Sequence, residues 1–171
     1  MDLSQGSKTV VENCLKIKKD EKVLIVTDEN KLKMGQALFE AVKNAGANPF
    51  LMMSRPGKVS GEEPDELIAK AMLDADVVIC PTTVSMTHTN ARINAVKNGA
   101  RVATMPGITE EMFSKGAITA DYDEVEKLTL RMTDMLTNAR SAKIVKGEYS
   151  LTMSLKDRKG VPSTGVYDKK G

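Results

Sequence analysis

The chain's only histidine, His88, stands in "CPTTVSMTHTNAR" (Cys80–Arg92) among the hydroxyl side chains of Thr82, Thr83, Ser85, Thr87 and Thr89. An imidazole titrates near neutrality and can carry a proton between partners. Ser85 precedes it by three residues, a spacing that sets the two on one helical turn, so a hydrolase using Ser85 and His88 is one reading. Nucleophilic catalysis also needs an orienting group, and no spacing here singles out a third member. A second reading is ligand contact: Thr83, Ser85 and Thr87, with free N–H groups at a helix start, could hold a carboxylate or phosphate, and Thr82 and His88 stand beside them as candidate ligand-binding residues. A third is plain, a Ser or Thr capping its own helix while the rest are solvated. The residues alone leave these open.

Other chemistry is thinly provided. A catalytic zinc takes several His, Cys or carboxylate ligands and keeps an open position, and one histidine supplies neither H-E-x-x-H nor H-x-x-E-H. The acidic runs "GEEPDE", "TEE" and "DYDEVE" are each explained by a helix start or a solvated face, so no metal site is expected within the chain. Neither G-x-G-x-x-G nor G-x-x-x-x-G-K-[ST] occurs, which argues against dinucleotide and P-loop binding. Cys14 and Cys80 lie far apart in apolar contexts and read as buried free thiols.

The elements that must position this loop follow from periodicity. Residues 8–19 can form a helix on Val10, Val11, Cys14 and Ile17. "KVLIVTD" (22–28) is a continuous apolar run, the pattern of a strand buried on both faces. A helix through "KLKMGQALFEAVKNAG" stops at Gly46, and "NPFLMMS" (48–54) is a second strand with Pro49 tolerated at its start. The loop "RPGKVSGEEPD" leads to a helix carrying Leu67, Ile68, Ala71 and Met72, with Pro64 in its first turn. "ADVVIC" (75–80) and "ARVATM" (100–105) are further strands, separated by a helix through "NARINAVKNG".

Beyond them, Thr109 with Glu110 and Glu111 opens a short helix, and Asp121 with Glu124 has the form of a capping box. The long helix that follows carries Tyr122, Val125, Leu128, Met132, Met135 and Ala139, a stripe expected to face inward. "AKIVKG" and "YSLTMSL" are strands, the second alternating as a sheet with one wet face does. Repeated strand and helix pairs imply a Rossmann-like α/β three-layer sandwich on a mostly parallel sheet, followed by an incomplete or appended antiparallel element. Residues 1–140 are expected to form the α/β domain and 141–171 extra strands with a flexible tail. Ligands of such sheets gather beyond the carboxyl ends of the strands, here Thr27–Glu29, Ser54–Arg55, Pro81–Thr83 and Pro106–Gly107. Arg55 joins the hydroxyl loop as a candidate ligand-binding residue.

Composition narrows the partners. With 171 residues the chain can build one main core covering roughly 70% of its extended surface. Apolar residues make up 41% and aromatics only 4%, so eleven Met do part of the filling. Lys and Arg number 25 against 23 acids, with no dense basic footprint, so nucleic-acid binding is not expected. No run of 18 apolar residues and no apolar signal core occur, which predicts a cytoplasmic protein without a membrane span.

"EKVLIVTD", "GEEP", "ADVVICPTTVSMTHTNAR", "GARVATMPGITEEMF" and "ADYDEV" together resemble the N-terminal part of the aminopeptidase T family, leucyl aminopeptidases of the M29 metallopeptidase type. The likeness spans most of residues 8–157. It implies a cytoplasmic homodimer that releases N-terminal amino acids from peptides with two divalent cations (Zn, Co or Mn). Family chains are roughly twice this length, and their Glu, His and Asp metal ligands lie in the later domain. No catalytic residue therefore transfers onto a position here. The resemblance implies either an N-terminal half, inactive alone and linked through 141–171 to a catalytic domain, or a stand-alone small-molecule binding or assembly module. Peptide substrate is expected only where the catalytic domain is present.

Overall fold

A computed structural model describes residues 2–169. Its sheet has four parallel strands, β1 (Lys22–Asp28), β2 (Asn48–Ser54), β3 (Val77–Cys80) and β4 (Arg101–Thr104), in the order β2-β1-β3-β4. In β1 every residue after Lys22 is buried, because alternate side chains enter two different cores. Val23 and Ile25, with Val77 and Ile79 of β3, meet Met34, Leu38 and Val42 of α2 (Leu32–Asn44). Leu24 and Val26, with Val78 and Cys80, meet Ile68 and Met72 of α3 (Glu66–Leu73) and Ala91 and Ala95 of α4 (Asn90–Lys97). Each such fully buried aliphatic side chain contributes about 1.5–3 kcal/mol. The α/β sandwich with a parallel sheet is thus the architecture expected from the strand and helix rhythm.

The local chemistry departs from expectation in places. The first helical stretch begins at Ser4, earlier than expected, as α1 (Ser4–Lys8), and widens into a π-helical turn over Thr9–Cys14. There the Leu15 amide reaches back to the Val10 carbonyl at 2.9 Å, and Lys16 at φ 44° ends the helix short of residue 19. Gly6 explains the tight seat of α1: an added Cβ would lie 2.1 Å from the Phe113 carbonyl oxygen of α5 (Glu110–Lys115). Helix α3 starts after Pro64, since Asp65 takes the cap position and accepts the Leu67 amide at 2.9 Å. At the amino edge of the sheet, Arg101 is 4% exposed. Its guanidinium donates to the Leu15 carbonyl and, at 2.5 Å, to Glu21, whose carboxylate also accepts the Lys18 amide.

The chain divides into two compact units, one running to Ala120 and resuming at Tyr167, the other Asp121–Val166. In the first, the returning segment is held by the Tyr167 amide on the Cys14 carbonyl at 2.7 Å and by the Lys16–Asp168 ion pair. The second contains α6 (Tyr122–Asn138) and an antiparallel hairpin of β5 (Ser141–Lys146) and β6 (Tyr149–Ser154). Asp121 caps α6 through the Asp123 and Glu124 amides, but the box is not closed, because Glu124 turns to Lys127 at 2.8 Å.

The inward stripe expected of α6 is corrected here: no residue of the helix is buried, and Leu128 is 61% and Met135 56% exposed. The hairpin repeats the pattern. Ile144 pairs with Leu151 and Lys146 with Tyr149 on one face, yet Ile144, Leu151 and Tyr149 are all exposed. Helical periodicity specifies which side chains share a face, and burial depends on what covers that face.

Candidate binding crevice at the carboxyl edge of the sheet

From β1 the chain moves outward to β2 and then returns to place β3 on the other side of β1, so the order reverses between β1 and β3. In parallel sheets this is where a crevice opens. Asp28 ends β1 at that point and is 2% exposed. One carboxylate oxygen accepts the Thr83 amide at 2.5 Å; the other accepts the Thr83 hydroxyl at 2.8 Å and the Asn30 amide at 3.1 Å. The neighbouring Thr27 hydroxyl donates to the Pro81 carbonyl at 3.0 Å. The end of β1 thereby clasps the hydroxyl loop. A buried carboxylate is tolerable when N–H and O–H donors satisfy it, and this role for Asp28 was not visible in sequence spacing.

Most of the loop's hydroxyls are engaged within the fold. Thr82 donates to the Val84 carbonyl at 2.7 Å, and Thr89 accepts the Arg92 amide at 3.3 Å as the cap of α4. Ser85 donates to the Thr87 hydroxyl at 2.9 Å, which in turn meets Thr104 at 2.8 Å. His88 is exposed and makes no hydrogen bond among the described residues. Ser85 and His88 are therefore not joined as nucleophile and base. Cys80 is buried at the end of β3, and burial pushes its thiol up to about 12, so it stays protonated.

The second wall is the loop from Arg55 to Asp65, folded by its own acids. Glu62 accepts the Lys58 amide at 2.5 Å, and the Gly61 amide and Ser85 carbonyl link the two loops at 2.8 Å. Glu63 accepts the Asn90 amide at 2.5 Å and the Ala91 amide at 3.1 Å, standing over the first turn of α4. Those bonds, the Asn90 amide foremost, hold its carboxyl below the ordinary glutamate range. A carboxyl whose pKa falls on folding adds stability above its unfolded pKa of about 4.3, and that stability is lost as pH falls through the folded value. Glu63→Gln is accordingly expected to flatten the stability profile of the chain between about pH 5 and 3. Urea midpoints measured across that range check it; an unchanged slope would refute the contact's role.

Between the walls lies a crevice of about 340 Å³, lined by Val26, Asp28, Arg55, Lys58, Thr82 and Met86 among others. Of the residues singled out in the sequence, Arg55 and Thr82 line it; Thr83 stands behind it on Asp28, and Ser85 and His88 are not among its lining residues. Lys58, Glu62 and Glu63 also line it; "GEEP" contains the two acids, but nothing in the sequence marks any of the three as a lining residue. Among the described residues no group of three or more His, Cys, Asp or Glu could hold a metal. The pair of cations implied by the resemblance thus does not fit these side chains. Nor is any helix of the described residues long and apolar enough to cross a membrane.

Neither protein-family models nor curated protein sequences match the chain. Solved structures do. Over 98% of its length it is similar to 2,5-dihydroxypyridine dioxygenase from Pseudomonas putida KT2440, with a TM-score of 0.74 and 16% identity, covering 51% of that chain. Over 82% it is similar to wild-type AmpT from Thermus thermophilus, with a TM-score of 0.55 and 13% identity, covering 49% of that chain. The chain spans about half the length of the structures it matches. A dioxygenase and AmpT on one fold make the likeness one of architecture, and activity must be argued from the site.

Proposed function

We propose that these residues form a non-catalytic assembly module of a larger, enzyme-like architecture. The observation that supports it is the Asp121–Val166 unit, which presents the apolar stripe of α6 and one apolar face of the hairpin without covering either. Contiguous exposed apolar surface marks an interaction site, and a lone two-stranded hairpin is marginal until something packs on it. Both matched structures being about twice as long fits the same reading. For the assembled protein, the sequence motifs favour metal-dependent release of N-terminal amino acids from peptides in the cytoplasm, the metals bound outside these residues.

The chain by itself is expected to associate at micromolar concentration, and Leu128→Glu with Met135→Glu to return it to monomer in sedimentation velocity. Unfolding of the first unit should be unchanged, since neither side chain is buried. A monomeric parent chain would overturn the assembly reading. Release of product from an aminoacyl reporter with Zn, Co or Mn, abolished by chelation, would overturn the non-catalytic one. A second reading, small-molecule binding in the crevice, is favoured by the two cations on its wall.

A further inference from the structure

We infer that the crevice takes a small monocarboxylate carried on an apolar body. Its lining holds four carboxylates, Asp28, Glu62, Glu63 and Asp65, and two cations, Arg55 and Lys58. Each acid is committed to backbone donors: Asp28 to Thr83 and Asn30, Glu62 to Lys58 and Val59, Glu63 to Asn90 and Ala91, Asp65 to Leu67. Arg55 and Lys58, by contrast, form no ion pair among the described residues. The acids are occupied in folding the walls, and the two cations of the same lining are left without a carboxylate partner among the described residues.

An Arg guanidinium presents a planar fork that matches a carboxylate, and Lys58 adds a second charge from the same loop. Val26, Ile68 and Met86 supply an apolar floor, with Met able to adapt to the shape it meets. The volume lies in the range of small-ligand sites. With four carboxylates and two cations in the lining, a phosphate dianion meets more repulsion there than a monocarboxylate does. This inference rests on the crevice reading and is independent of the assembly reading, whose surface lies in the other unit.

The test is a titration of the full chain, followed by amide NMR, with benzoate, benzyl alcohol and inorganic phosphate as separate probes. Benzoate is expected to shift the amides of 55–58 and 82–86 saturably and to bind at least about tenfold more tightly than either comparator. Arg55→Gln with Lys58→Gln should weaken it by at least about tenfold while amides elsewhere stay in place. Saturable binding of benzyl alcohol as tight as benzoate would remove the charge from the argument, and phosphate binding as tight would remove the apolar body. No saturable shift with millimolar benzoate, or an unchanged affinity in the folded double variant, would overturn the inference. The comparison of the three probes on the parent chain decides it even if the variant fails to fold. A monomeric chain that binds benzoate would sink the assembly reading alone.

Discussion

Arg101→Met is expected to lower the stability of the first unit by about 3 kcal/mol, at the lower end of what removing one partner from a buried ion pair costs. Methionine keeps much of the volume but offers no donor. The Leu15 carbonyl loses the guanidinium, and Glu21, partly shielded with 21% of its side chain exposed, keeps only the Lys18 amide. The location enlarges the effect. Leu15 closes the π-helical turn and is itself fully buried, while the next residue, Lys16, sits at positive φ, so the guanidinium braces the point where the first helix leaves the core. For a chain of this length the loss corresponds to a fall in Tm of about 6–12 °C. Thermal and urea unfolding measure it. A loss under about 1 kcal/mol would show that the side chain serves only to fill space.

Asp28→Asn comes next in size, with an expected loss of about 2–3 kcal/mol. The replacement is nearly isosteric, so packing hardly changes, but one acceptor oxygen becomes an NH₂ donor. Two of the donors served by Asp28 are on Thr83, its amide and its hydroxyl, and the third is the Asn30 amide. Whichever way the Asn side chain turns, a donor is set against a donor in a site that is 2% exposed. The loop should loosen before the sheet does. Hydrogen exchange at the Thr83 amide is expected to accelerate more than at Ile25 in the middle of β1, and equal acceleration at both would refute a local clasp.

These two residues show what could and could not be read from the chain. The run "KVLIVTD" announced a strand buried on both faces because only apolar side chains meet the demand of two cores at once. Thr109 and Asp65 show that caps are legible to within a residue or two: Thr109 caps its helix where the sequence expects the start, while Asp65 holds the cap one residue beyond Pro64. The carboxyl ends of the strands were equally legible, since strand order in the sequence brings Asp28, Arg55 and Thr82 to one edge. What joins them was not. Asp28 and Thr83 are 55 residues apart, and Arg101 and Leu15 are 86 apart. No local spacing encodes such partners. The α6 stripe failed for a different reason: a helical period shows that apolar side chains share a face, whereas what covers that face belongs to tertiary structure.

The path of the chain between the two units carries one more consequence. Because the first unit resumes at Tyr167, pinned to Cys14, the Asp121–Val166 segment is nested within its host and not strung after it. Two covalent connections, not one, lead to it, so a single nick in either leaves the parts tethered. Its ends are also held by a body that folds around its own sheet, which lowers the chain entropy that its helix and hairpin must give up on ordering.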